Sequence, residues 1–385
     1  MAGPDWPPFD CFQLHDNVPV FVYKEIDSML RPVEGFSHPT FCVLPFYAAE
    51  YPDETPCCLM SGEESLKEVQ QQMLSGQRPK SCKKCWKLED AGLKSDRLLK
   101  NETLDHFSNI DLEQLITQSR LERNEIIHYK IDTSNTCNAA CVTCNGDSSS
   151  AWNKLQHKNN LPAQKNWKIL PDQTVDWINY SSAKSLSFRG GEPFLSDTNF
   201  YILEQLIQHN NTECFVSFVT NGSFSLNTRQ KKILAKFKNL NFCFSIDGIG
   251  PVFEYLRWPL KWADIENNIS WCKTNNVEVS VSYTLSNINL LYHTTTTQWF
   301  SSHNINYLIN PVYVPEHFRP ESLSAEIKQQ LGQHNNSDAI GQWLVHSPDD
   351  DQLFAKFQLE IAKQDSMKNI AVKDYLPELA ALLKW

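Results

Sequence analysis

"IIHYKIDTSNTCNAACVTCNG" (residues 126–146) begins as a β-branched and aromatic run and ends in a polar loop that carries Cys137, Cys141 and Cys144. The first seven residues have the composition of a strand. Three thiols in a C-x3-C-x2-C pattern do not complete a tetrahedral zinc site, which takes four protein ligands, commonly as two pairs. They suit a loop wrapped around an iron–sulfur cube whose fourth iron has no protein ligand, and an iron left open in this way can bind a substrate. Zinc with a distant fourth ligand, or a set of redox thiols, is the other reading of the loop taken alone.

Downstream of this loop the same strand composition recurs in "SLSF" (185–188), "CFVSFV" (214–219), "NFCFSI" (241–246), "VEVSVSYT" (277–284) and "INYLINP" (305–311). Segments long enough for helices lie between them, such as "NFYILEQLIQHN" (199–210) and "NTRQKKILAKFKN" (227–239). Repetition of strand, helix and strand implies parallel pairing with right-handed crossovers. Six such units predict an α/β fold, a partial (β/α)6 TIM-like barrel rather than a closed eight-stranded one. In folds of this kind chemistry sits at the carboxyl ends of the strands. The cysteine loop follows the first strand, "RGGEP" (189–193) the second and "TNG" (220–222) the third, while "SIDG" (245–248) closes the fourth. Four unusual stretches are therefore expected on one rim.

Residues 1–120 differ in character. They contain Pro- and Cys-rich loops, one helical stretch around "ESLKEVQQQMLSG" (64–76) and the pair "CKKC". Their apolar content is thin for an independent core, which suggests a small metal-stapled accessory domain. Residues 101–125 read as a connecting helix and linker, 121–320 as the barrel, and 321–385 as a C-terminal helical extension whose final "YLPELAALLKW" suits a helix docked on the barrel.

The chain has 385 residues, 41% of them hydrophobic, and a net charge of -10. No apolar run approaches the ~20 residues of a membrane span. The opening "MAGPDWPPFDCF" lacks the basic start and apolar core of a secretory signal, so the cytoplasm is the expected location. An acidic chain without a dense basic stripe argues against duplex nucleic acid as main partner. Twelve cysteines in a reducing compartment point to metal binding rather than disulfides. Cys214 and Cys243, inside apolar runs, read as small core residues.

The C-x3-C-x2-C of Cys137, Cys141 and Cys144 resembles the signature of the radical S-adenosylmethionine (SAM) superfamily, whose members have a partial (β/α)6 barrel. The resemblance implies that these cysteines hold a 4Fe-4S cluster whose unique iron chelates the amino and carboxylate groups of SAM. It implies reductive cleavage of SAM to a 5'-deoxyadenosyl radical, which abstracts hydrogen from an unactivated carbon. The hard chemistry belongs to the cofactors, and the protein orients them. Gly190, Gly191, Glu192 and Pro193 resemble the family's second-strand motif, which contacts the SAM amino group; paired glycines admit a ligand closely and Glu192 offers a carboxylate to an ammonium. "SIDG" resembles the element that binds the ribose hydroxyls, with Ser245 and Asp247 as candidates and Arg257 as a partner for the SAM carboxylate. Asn221 and Asn287 are candidates to line the SAM pocket or to cap the next helix. Val312 or Tyr313 is a candidate for the adenine contact. Trp86, Tyr313, His317 and Arg319 are candidates to face the cavity, with packing or surface placement as the alternative.

The amino-terminal cysteines resemble the twitch or SPASM-like module that carries a second iron–sulfur cluster in many peptide- and metabolite-modifying members. Cys42, one of Cys57 and Cys58, Cys82 and Cys85 would supply four ligands to a second 4Fe-4S cluster suited to electron transfer. The module usually follows the barrel, whereas here it precedes it. Cys82-x2-Cys85 also fits a zinc knuckle. Glu89, Ser95 and Arg97 are candidates either to orient the cluster loop or to form a solvated helix end. The resemblance implies a peptide or small-molecule substrate and an external electron donor such as flavodoxin or ferredoxin. Two other classes remain open on the sequence: a non-catalytic iron–sulfur electron carrier or sensor, and a zinc-stapled binding protein.

Overall fold

Short β-branched runs separated by amphipathic segments build parallel strands, because a strand that re-enters the same sheet edge in the same direction needs a crossover about as long as a helix. A computed structural model describes residues 39–51, 56–57, 60, 64–90, 95, 97–98, 100–101, 126–170, 177–312, 314–334, 344 and 350–385. The chain divides into two compact units, residues 1–130 with 182–184, and residues 131–181 with 185–385.

The smaller unit contains helix α1 (Leu44–Tyr47), strand β1 (Ala48–Tyr51), helix α2 (Leu66–Leu74) and helix α3 (Lys83–Asp90). Helix α2 starts at a capping box: the Ser65 hydroxyl accepts from the Glu68 N–H, and the Glu68 carboxylate accepts from the Ser65 N–H at 2.7 Å. Val69 and Met73, four residues apart and fully buried, present its apolar face to Phe41, Leu44 and Phe46. Strand β1 lies where the sequence pattern suggests only loops. The expected connecting helix over 101–125 lies, beyond Asn101, outside the described residues.

Strand β2 (His128–Asp132) crosses the division, its last two residues belonging to the larger unit. Helix α4 (Ser150–Lys158) follows the cysteine loop. Then come β3 (Ser185–Arg189), α5 (Asp197–Gln208), β4 (Phe215–Thr220), α6 (Thr228–Leu234), β5 (Leu240–Ser245), α7 (Pro251–Leu256) and α8 (Trp262–Thr274). Strand β6 (Glu278–Leu285), α9 (His293–Ser302) and β7 (Asn306–Pro311) complete the alternation. Strands β2 to β7 lie in the sheet in chain order. From β3 to β7 every neighbouring pair is parallel. All six expected strands are present, shifted by a residue or two. The α/β fold is thus an open, partial barrel of consecutive parallel strands.

Helix α6 is shorter than the expected 227–239. Lys236 and Phe237 donate their N–H groups to carbonyls three residues back, which tightens the last turn and feeds the chain into β5. The C-terminal helices are α10 (Ala325–His334), α11 (Asp351–Lys368), α12 (Val372–Tyr375) and α13 (Pro377–Leu382), and they belong to the same unit as the barrel. Helix α11 is capped by Asp350, which accepts from the Gln352 and Leu353 N–H groups. No helix among the described residues is long and apolar enough to cross a membrane.

The two faces of the sheet differ. Leu186, Phe188, Val216, Phe218, Phe242, Phe244 and Val281 are buried on one face. The rings of Phe194 and Phe218 stack at 4.5 Å, and Phe242 meets Phe218 edge-on at 5.5 Å. The opposite face carries small side chains, Ser187, Ser217, Cys243, Ser245, Ser280 and Ser282, all half-buried. Cys243 is therefore not the core residue its apolar neighbours suggest, because strand periodicity turns it to the more open face. Cys214 is buried as expected. Replacing Phe218 with Ala is expected to destabilise the protein by about 3–5 kcal/mol, measured as a lowered urea midpoint; a change below about 1 kcal/mol would show that the aromatic layer is not the core.

Candidate cofactor site

The loop bearing the three cysteines has no regular structure of its own, so its backbone groups bond elsewhere. The Ala140 N–H donates to the Trp258 carbonyl and the Val142 N–H to the Leu256 carbonyl, both at 2.8 Å. Helix α4 closes the loop from the other side. Its N-cap Ser149 donates to the Ala139 carbonyl at 2.6 Å, and the Ser150 hydroxyl accepts from the Cys137 N–H and donates to the Cys137 carbonyl. Trp152 donates from Nε1 to the Cys141 carbonyl at 2.8 Å. All three thiols are half-buried.

The later strand ends join this loop. After β3, Gly190 takes φ +98°, and a Cβ there would stand 2.6 Å from the Ser134 carbonyl. A side chain at Gly191 would collide with the Thr136 carbonyl. The Gly191 and Glu192 N–H groups donate to the Ser134 and Thr136 carbonyls at 2.8 and 2.7 Å, so the glycines let the second strand end approach the first. Pro193 starts a short 3-10 turn, Pro193–Leu195. After β4, the Asn221 side-chain amide reaches Asn138 at 2.8 Å and the Cys137 sulfur at 3.9 Å. After β5, Asp247 pairs with Arg257 at 2.8 Å, and Arg257 donates from Nη1 toward the Cys141 sulfur at 3.9 Å. Ser245 ends β5, half-buried and in register with Ser282.

Among the residues expected to bind a cofactor, Gly190, Gly191, Glu192, Asn221, Asp247 and Arg257 thus meet around the loop. Asn287 does not line it: it donates to the His317 carbonyl and the Ser322 hydroxyl and holds that turn. Val312 is buried and Tyr313 lies outside the described residues. His317 is buried against Phe318, while Arg319 pairs with Glu316. Sequence reasoning missed Gln364 and Lys368 of α11. Gln364 donates to the Val142 carbonyl at 3.0 Å, and the Lys368 ammonium lies 4.8 Å from the Trp152 ring centroid. Their distance along the chain left no motif to find them by.

Burial raises the Cys137 thiol to about 11, with the neighbouring Cys141 adding to the shift. Burial also raises Cys144, and Cys141 and Cys137 add to it. The three sulfurs are therefore close enough to oppose one another's ionisation. Burial raises Cys141 too, against the opposing charges of Arg257 and Lys368. Three thiols gathered in this way would ionise together only around a cationic group. The Arg257 Nε–H is buried without an acceptor among the described residues, a spare donor beside the cysteines. Glu192 is 1% exposed and accepts from the Asn221 N–H, the Thr220 hydroxyl and the Phe194 N–H. Burial nevertheless pushes its carboxyl up to about 7, so an ammonium placed against it would be favoured. The donor set and the glycine cradle fit a three-thiolate cluster with an amino-acid ligand.

In the smaller unit Cys42, Cys57, Cys82 and Cys85 line one small cavity together with Arg97. Cys58 lies outside the described residues. Burial pushes the Cys82 thiol up to about 12; Glu64 adds to this and Arg97 opposes it. Arg97 is 3% exposed and bound bidentately to Glu89 at 2.9 and 2.6 Å. It also donates to the Phe41 carbonyl beside Cys42, and its guanidinium lies 4.8 Å from the Trp86 ring centroid. Ser95, 1% exposed, donates to Glu89. This network is a buried wall of the cavity, not a solvated helix end. Among the described residues no three His, Cys, Asp or Glu side chains are grouped so that they could hold a single metal ion.

Fold and site together define an α/β chain with an open parallel sheet whose carboxyl rim carries a three-cysteine loop. No family model and no curated protein matches it. Among solved structures, native anSMEcpe with bound AdoMet aligns with a TM-score of 0.39 and 18% identity, over 53% of this chain and 58% of that one. Streptococcus suis SuiB bound to the precursor peptide SuiA aligns with a TM-score of 0.41 and 13% identity, over 80% and 72%. The radical S-adenosylmethionine methyltransferase TsrM from Kitasatospora setae, with cobalamin and a 4Fe-4S cluster bound, gives 0.34 and 10%, over 50% and 38%. The chain spans little more than half the length of the first of these. At such similarity no residue role is transferred.

Glu192 makes the protein's stability depend on pH. Its folded pKa is raised from 4.5 to about 7, so its contribution is fully present below about 4.5 and is lost as pH rises through 7. Urea titrations of the ligand-free protein from pH 5 to 8 are expected to show wild type losing about 2.5 kcal/mol relative to Glu192→Gln across that range; parallel curves for the two proteins would refute the assignment.

Proposed function

We propose that this chain is a radical SAM enzyme. The observation that carries the reading is the convergence on the cysteine loop of two later strand ends and the turn after α7, through Glu192 N–H to Thr136, Asn221 to Cys137 and Arg257 to Cys141. In this reading Cys137, Cys141 and Cys144 hold a 4Fe-4S cluster, and Gly190 to Pro193 receive the SAM amino group, with Glu192 as its counter-charge. Asn221, Ser245 and Asp247 line the rest of the SAM pocket. Arg257, already paired with Asp247, has an unengaged Nε–H that would be available to the SAM carboxylate. A bound cluster would supply the electron for reductive cleavage of SAM and so the radical chemistry at the substrate carbon. The chain's own part is to orient SAM, to exclude water at Glu192 and to hold the loop rigid through Ser149, Ser150 and Trp152.

The half-buried serines on the open face of the sheet offer hydrogen bonds without fixed charge, which suits a peptide or a small polar metabolite. Cys42, Cys57, Cys82 and Cys85 are proposed to hold a second 4Fe-4S cluster that assists electron transfer, fed by an external donor such as flavodoxin or ferredoxin. Cysteines in such number stay reduced and free to bind metal in a reducing compartment, in keeping with the cytoplasm.

Anaerobic iron, sulfide and zinc analysis tests both parts. Reconstituted wild type is expected to carry about eight irons per chain, falling to about four when Cys137, Cys141 and Cys144 are all Ala. The wild type with dithionite and SAM is expected to release 5'-deoxyadenosine, and the triple variant none. Iron independent of the three cysteines would refute the cluster assignment; cluster loading without 5'-deoxyadenosine would favour an electron carrier. Iron falling from about four to none with zinc retained would make the amino-terminal site a zinc staple.

A further inference from the structure

The carboxyl end of α11 packs directly on the cysteine loop. Met367 joins Ala140, Trp152 and Leu155 in one buried cluster, with Cys144 packed against it. Gln364 holds the Val142 carbonyl and in turn accepts from the Lys368 ammonium at 2.9 Å. Lys368 is 5% exposed, and its ammonium lies over the Trp152 ring. The titratable groups that act on it are Cys141 and Cys144 on the loop and Asp365 and Glu360 on its own helix. Asp365 is engaged by the Tyr255 hydroxyl and the Val372 N–H, and Glu360 by Lys363. Among the described residues Lys368 has no ion-pair partner, whereas Arg257, the other buried cation at the loop, is paired with Asp247.

An ammonium buried without a counter-charge is costly, and the cost is recovered when an anion occupies the space it faces. Three thiolates around an iron–sulfur group supply that negative charge, and one-electron reduction adds to it. A fixed buried cation stabilises the more negative, reduced form and so raises the potential.

We propose that Lys368 is a positioning residue of the three-cysteine site, whose buried ammonium acts through Cys141 and Cys144 to raise the reduction potential of the bound cluster. This rests on the iron–sulfur reading given above. The C-terminal extension is then a working part of the site rather than an appendage.

The test is a dithionite titration of the reconstituted full-length protein followed by electron paramagnetic resonance. It follows only the signal that is lost when Cys137, Cys141 and Cys144 are Ala. K368M, K368Q and K368R are compared with wild type, with iron and sulfide counted in each. At a fixed poise the reduced-to-oxidised ratio is expected to fall about tenfold in K368M and K368Q, a midpoint lower by about 59 mV for one electron, while K368R stays with wild type. Loss of the cluster in both neutral variants but not in K368R also supports the charge. An unmoved midpoint in fully loaded K368M, or a K368R that behaves like the neutral variants, overturns the proposal while leaving the cluster reading intact. A wild type with no signal dependent on the three cysteines overturns that reading, and the proposal with it.

Discussion

Two backbone hydrogen bonds, from Ala140 to Trp258 and from Val142 to Leu256, support the rest of the site. A loop of Asn, Thr, Ala and Cys has no strand partner or helix ladder to consume its N–H groups, and buried donors left unpaired would be costly. Binding to the segment after α7 solves that problem. It also places Arg257, which lies between the two accepting residues, beside Cys141 and Asp247. One backbone constraint therefore sets both the shape of the cysteine loop and the position of its nearest guanidinium.

Parallel strands make this possible. Because β3 to β7 all run in one direction, each loop after a strand emerges on the same edge, and residues scattered from 137 to 257 meet without any long detour of the chain. On one face of the sheet phenylalanines interlock, joined by Phe200 of α5 and Trp271 of α8. The other face keeps small polar side chains in register across neighbouring strands, such as Ser245 with Ser282. A sheet buried on one side and open on the other leaves room for a ligand without giving up a core.

Electrostatics distinguish the two cysteine sets. The barrel loop has two buried cations nearby, of which Arg257 is already paired. Among the described residues the amino-terminal cavity has one, Arg97, held by Glu89 and the Phe41 carbonyl and covered by Trp86. In both sets burial disfavours the thiolate, at Cys137 and at Cys82 alike.

The sequence alone determined the order of strands and the rim motifs, because β-branched runs, paired glycines and clustered cysteines are local signals that need no knowledge of the fold. It could not reveal which polar residues close the site. Asn287 reads like Asn221, yet one holds the 317–322 turn and the other reaches Cys137. Cys243 reads as core because its neighbours are apolar, but the phase of the strand turns it to the open face. Glu89 and Arg97 read equally as partners of the cysteine loop or as a solvated helix end until Trp86 and the Phe41 carbonyl show Arg97 buried. Lys368 and Gln364 reach the cysteine loop from more than two hundred residues away. Only tertiary structure decided these points, since burial and partnership depend on what folds back onto a residue and not on the letters beside it.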